Sequence, residues 1–179
     1  MRKLIILLFG IGVLVNTSYA QSLYNLSFND IDGGIISLSS YEGKRILFFI
    51  APINEADSLR LTELQDFQRV HTDTVIMIGI MSVEDGYSSM NKSAIKNLYQ
   101  ARELAIILTE GMQTKRSAGE SQALLLKWLT DKERNSRFNL DAQGSCQKFF
   151  ISPEGKLNGA LPGNISFLDP MVWRMLYKN

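Results

Sequence analysis

Cys146 is the only cysteine and His71 the only histidine among 179 residues, and these two set the bounds of the nucleophilic chemistry open to the chain. A thiolate held by hydrogen-bond donors at a helix start would attack a peroxide or a disulfide. A Cys–His or Ser–His pair would have to use His71. That residue closes a helical stretch at 58–71, where an imidazolium suits the negative end of the helix dipole, so a structural role is expected. No residue from Gly144 to Gln147 is cationic and Lys148 is the nearest cation, so Cys146 is expected to be a small core residue at the start of a strand. There is no His/Cys cluster for a metal, no CxxC pair, no Walker loop and no GxGxxG, and no cofactor is expected. The remaining groups of interest are Asn54, Glu55 and Asp57, which follow an apolar run, and Glu84. An amide is no nucleophile at neutral pH, and Asn favours a helix N-cap. Glu55, Asp57 and Glu84 would place negative charge around any thiol nearby and disfavour its thiolate.

These groups need elements to hold them. Phe28 to Gly34 reads as a hairpin turn in which Gly33 and Gly34 tolerate positive φ and Asp32 closes an Asx-type hydrogen bond. Ser22–Phe28 and Ile35–Ser39 are its strands. Arg45 to Ala51 is an unbroken apolar run of strand length, as expected of a central strand covered on both faces, and Pro52 ends it. The loop 53–56 then lies beyond the strand's carboxyl end, where open α/β sheets place their chemistry. Leu61, Leu64, Phe67 and Val70 give the following helix one apolar face. Further strands are predicted at 74–81, 104–108, 147–152 and 157–161, with 45–51 central and 147–152 antiparallel to it. Further helices are predicted at 92–102, at 122–129 with Leu124, Leu125 and Trp128 inward, and at 167–177 with Pro170 in the first turn. Residues 110–120 read as an exposed loop, and 131–145 show no clear period.

Several of these stretches carry a resemblance. The turn Phe28-Asn29-Asp30-Ile31-Asp32-Gly33, the segment Ser37-Leu38-Ser39-Ser40-Tyr41-Glu42-Gly43-Lys44 and the apolar strand ending in Ala51 resemble the opening of glutathione peroxidases. Ala123 to Leu129 is similar to that family's Pro-Leu-Tyr-Lys-Phe-Leu helix. Lys148 to Lys156 is similar to its Lys-Phe-Leu-Val-Asp-x-x-Gly-Lys hairpin. The resemblance covers most of residues 21–179 and implies an α/β, thioredoxin-like fold: a mixed central sheet flanked by helices, with an N-terminal β-hairpin. It also places Asn54 at the peroxidatic Cys or selenocysteine, Glu84 at the catalytic Gln, and Gly144 and Ser145 at the catalytic Trp and Asn. Cys146 falls at the Phe that follows. All four catalytic positions differ from the family's.

Residues 1–20 read as a secretory signal, with Arg2 and Lys3 before the apolar run 4–15 and Ser18-Tyr19-Ala20 as a cleavage site. The expected product is an exported, periplasmic or secreted single domain of residues 21–179 without a membrane span. Removing Arg2 and Lys3 leaves 17 basic against 18 acidic residues, a net charge of −1, which gives no sign of nucleic-acid binding. Asn25, Asn91 and Asn164 fit the glycosylation pattern, which matters only in a eukaryotic secretory pathway. The expectation is a peroxidase-like protein without Cys-based activity, retained as a binding or structural module whose ligand or partner the sequence does not name. The alternative is a thiol oxidoreductase or peroxidase that uses Cys146 as its nucleophile.

Overall fold

The computed structural model describes residues 21–177; the proposed signal at 1–20 lies outside them. Among the described residues seven strands and five α-helices follow one another. They are β1 (Ser27–Asn29), β2 (Ile35–Ser37), β3 (Arg45–Ile50), α1 (Ser58–His71), β4 (Val75–Ser82), α2 (Lys92–Gln100), β5 (Ile107–Met112), α3 (Leu124–Thr130), α4 (Lys132–Asn135), β6 (Lys148–Ile151), β7 (Leu157–Leu161) and α5 (Pro170–Tyr177). β1 and β2 form the N-terminal antiparallel hairpin, and the main sheet has the order β5-β4-β3-β6-β7. β3 is central as expected. Its Phe48 sits opposite Ile78 of parallel β4 and Phe149 of antiparallel β6.

The run Ile46 to Ile50 is fully buried because both sheet faces are covered. Leu47 and Phe49 face a core built with Leu61, Leu64 and Phe67 of α1, Leu98 of α2 and Leu176 of α5. Ile46, Phe48 and Ile50 face the other core, with Leu126 and Trp128 of α3 and Phe28 of the hairpin. Alternation along the strand thus puts the two adjacent phenylalanines on opposite faces. No described helix is long and apolar enough to cross a membrane.

Several expectations change. The first strand is only three residues long, and Leu23–Asn25 before it is a 3₁₀ turn. Leu38–Tyr41 is also 3₁₀ and ends β2 early. Asp30, not Asp32, closes the hairpin turn, accepting from the N–H groups of Asp32 and Gly34; Asp32 instead pairs with Lys96 at 2.7 Å. Val70 and Leu124 are exposed, not core. The third core strand starts at Ile107, three residues later than expected, and runs on to Met112. Arg116–Ser121 is 3₁₀, and the aperiodic stretch after Asp131 contains α4, which Asp131 caps by accepting from Glu133 N–H.

Candidate functional site

The carboxyl ends of β3 and β4 gather three loops. The first, Ile53–Glu55, leaves β3 and is fixed from below by Tyr99, whose hydroxyl donates to the Pro52 carbonyl at 3.1 Å. The second, Val83–Gly86, leaves β4; a Cβ added at Gly86 would lie 3.7 Å from Ile53 Cδ1. The third, Gly144–Cys146, enters β6. A Cβ at Gly144 would lie 3.1 Å from Asp85 Oδ1, and a Cβ at Gly163 would overlap the Ser145 carbonyl oxygen. Asn54, Glu84, Gly144 and Ser145, the positions singled out by the resemblance, therefore lie on loops that meet in space.

What those loops present differs from the sequence expectation in three ways. Asn54 precedes the short 3₁₀ turn Glu55–Asp57 that leads into α1, yet its side chain makes no capping hydrogen bond. It is exposed and lines a groove of about 510 Å³ between Ile53–Glu55 and α2. Glu84 turns away from the loop junction. Its carboxylate accepts from the N–H groups of Thr114 and Lys115 and from the hydroxyls of Thr114 and Ser82, stapling the end of β4 to the segment after β5. Burial pushes the Glu84 carboxyl up, but those donors together hold it below its ordinary value. Asp85 is the carboxylate beside Gly144, and its Oδ2 is buried without a hydrogen-bond partner. Turn residues have no periodicity, so nothing in the sequence separates Glu84 from Asp85.

Cys146 is 3% exposed. Its N–H donates to the Ile50 carbonyl at 2.8 Å, which places it against the end of β3. Its φ of 64° is a left-handed conformation uncommon for a residue with a Cβ. Burial raises the thiol's pKa; a hydrogen bond with Ser145 and the nearby charges of Lys148 and Arg60 act the other way and do not overcome it. Besides Lys148, the nearest cation in sequence, Arg60 of α1 also acts on the thiol, and burial outweighs both.

Sequence reasoning also missed Lys148. It has no exposed surface, and its ammonium donates to the carbonyls of Cys146 at 2.8 Å and Ile165 at 2.7 Å while lying 4.1 Å from the centre of the Phe167 ring. Burial lowers its pKa to about 8. A lysine inside an apolar strand is the signal that could have found it. Glu63 and Arg60 of α1 complete the surround: Glu63 accepts from Arg60 and from the Phe167 N–H, and Arg60 donates to the Asn164 carbonyl. His71 lies elsewhere, buried against α5 and held below its ordinary pKa by that burial. It is not the cationic helix terminus expected from its position. Among the described residues no cluster of three or more His, Cys, Asp or Glu side chains could hold a metal.

Among the described residues these loops present no exposed thiol, and an amide, Asn54, stands at the mouth of a groove. No protein-family model and no curated protein matches the chain. Solved structures do share its architecture. Trgpx in its apo form is similar over 88% of this chain and 98% of its own, with a TM-score of 0.64 at 15% identity. T. cruzi GPX1 is similar over 87% and 97%, with a TM-score of 0.63 at 10% identity. A thiol:disulfide interchange protein of the thioredoxin family from Chlorobium tepidum TLS is similar over 88% and 94%, with a TM-score of 0.56 at 15% identity. At these identities the likeness speaks for the fold alone: the chain has a thioredoxin-like fold.

Proposed function

We propose that the chain is an exported, degenerate member of the glutathione peroxidase family that has lost Cys-based peroxide reduction and serves as a binding module. The groove between Ile53–Glu55 and α2 is the surface that would bind. One observation carries this reading: the sole thiol is buried with a raised pKa, while the position that the resemblance assigns to the peroxidatic residue holds an exposed amide, Asn54. A neutral, enclosed thiol is a poor nucleophile.

Peroxide turnover with a thiol reductant, measured on the wild type and on Cys146→Ser, tests the proposal. Both are expected to stay at background. Alkylation of Cys146 should be slow at pH 7 and should accelerate only above about pH 9, beyond the ordinary thiol range. The second reading, a thiol-dependent peroxidase or oxidoreductase using Cys146, draws on the placement of Lys148 and Arg60 near that thiol. Robust turnover that disappears in Cys146→Ser would replace the first reading with the second. Turnover that survives the substitution would defeat both.

A further inference from the structure

The end of α1 and α5 are joined through one buried imidazole. His71 is 1% exposed. Its ring lies 4.2 Å from the Phe67 ring on one side and 4.2 Å from the Trp173 ring of α5 on the other, measured between centres. Nδ1 is 3.3 Å from the Tyr177 hydroxyl, which also meets Thr74 Oγ1 at 3.2 Å. Nε2 is buried and has no partner.

Neither neutral tautomer pairs both nitrogens, but a neutral ring leaves only one uncharged nitrogen unpaired. An imidazolium would leave a charged N–H unpaired in an apolar enclosure, a much costlier arrangement. The charged group facing this cluster from β3 is Arg45, whose guanidinium lies 4.8 Å from the Tyr177 ring centre and whose Nε donates to the Leu176 carbonyl. From α5 the titratable group facing it is Tyr177 itself, and no carboxylate among the described residues bonds or pairs with the imidazole. A positive charge on His71 would thus meet no counter-ion among the described residues, and burial alone already holds the imidazole low. The aromatic faces of Phe67 and Trp173 give some return to a cation.

We infer that His71 is an acid-sensitive latch: its protonation releases α5 from the end of α1 while the sheet stays folded. The inference stands apart from the proposed function, since no residue of the latch lines the groove. Burial holds the imidazole below its ordinary value, so the cost of enclosing the charge exceeds what the rings return. The sign follows. A released His71 takes up a proton near its ordinary pKa and a latched one resists, so closure is fully stable above about pH 6.5 and weakens as pH falls below it.

Backbone hydrogen exchange on the full chain, corrected for intrinsic rates, reads the latch directly. Between pH 7.5 and pH 5 the protection of the α5 amides should fall at least tenfold more than that of the β3 amides. In His71→Phe, which keeps an aromatic ring and cannot titrate, the α5 amides should show no such fall. Equal pH dependence of α5 protection in both proteins would overturn the inference, as would no selective loss in the wild type. Should His71→Phe fail to fold, the wild type decides alone: release confined to α5 supports the latch, and loss shared with β3 overturns it.

Discussion

Asn54 invites a simple repair, and the residues around it explain why the repair should fail. In Asn54→Cys the new thiol would be exposed, but Glu55 follows it and would disfavour a thiolate. Helpful donors are missing too. Gly144 has a φ of +109°, a conformation that a side chain adopts only under strain, and Asp85 already occupies the space beside it. A donor side chain introduced at position 144 would therefore require the loop to move. Each absent donor of this kind typically costs a factor of about 100 to 1,000 in turnover. Asn54→Cys should accordingly be alkylated faster at pH 7 than buried Cys146, yet reduce peroxide little above the wild type. Mass spectrometry of the alkylated thiols alongside a coupled turnover assay measures both. Strong turnover by the single variant would mean that the loops already supply what a thiolate needs.

Between elements, the two faces of β3 make the sharpest comparison. Phe49 packs edge-on against Phe167, 5.4 Å between centres and 85° between planes, while Phe48 faces α3. Truncating either to Ala should cost about 3–5 kcal/mol in urea unfolding, and a loss below about 1 kcal/mol would show that the site is not close-packed. Along α3, Leu126→Ala should cost about 2–5 kcal/mol, while exposed Leu124→Gln should change stability by no more than about 0.5 kcal/mol. β3, β4 and β6 were legible because an apolar run bounded by turn residues has few other solutions in a sheet, and β7 because the chain returns along β6 after the turn at 153–156. β5 was placed three residues too early, for two local reasons. The apolar residue Leu104 belongs to the end of α2: Glu103 takes a left-handed φ of 53° and Leu104 N–H closes back to the Tyr99 carbonyl, as in a Schellman motif. Polar Thr109 lies inside the strand because its hydroxyl accepts from Met81 N–H where the β4–β5 register shifts. Hydropathy registers neither contact. The same limit applies at the site: the amide Asn54 in the loop beyond β3 was readable, but which acidic residue of a turn faces inward was not. His71 was misread because its partners, Trp173 and Tyr177, are about a hundred residues away in sequence.

Across the whole molecule the titratable groups give a stability profile that a single-group argument would miss. On the acid side all shifts act together. His71 is held low by burial, and as pH falls below about 6.5 the unfolded chain gains a proton that the folded one resists. Glu84 and Asp32 are also held low, Asp32 chiefly by its hydrogen bond with Lys96; their contributions are present above the ordinary carboxylate range and are lost as pH falls through it. On the alkaline side the shifts oppose one another. Cys146 and Tyr99 are raised, first of all by burial, so the unfolded chain ionises them sooner and stability falls above about pH 9 and pH 10. Lys148 runs the other way. Its folded pKa is about 8 against an ordinary 10.5, so between those values the unfolded chain holds the proton and the folded chain releases it. Stability from this group therefore rises with pH across that window, by roughly 3 kcal/mol at 1.36 kcal/mol per unit. In the wild type the lysine gain therefore opposes the thiol loss above about pH 9. Lys148→Met keeps the side chain's length without the charge and should expose that loss. The stability difference between wild type and Lys148→Met should grow in favour of the wild type from pH 7 to pH 11. Urea unfolding of both proteins across this range measures it; parallel profiles would mean that Lys148 keeps its proton in the fold, stabilised by the Cys146 and Ile165 carbonyls and the Phe167 ring more than burial penalises it.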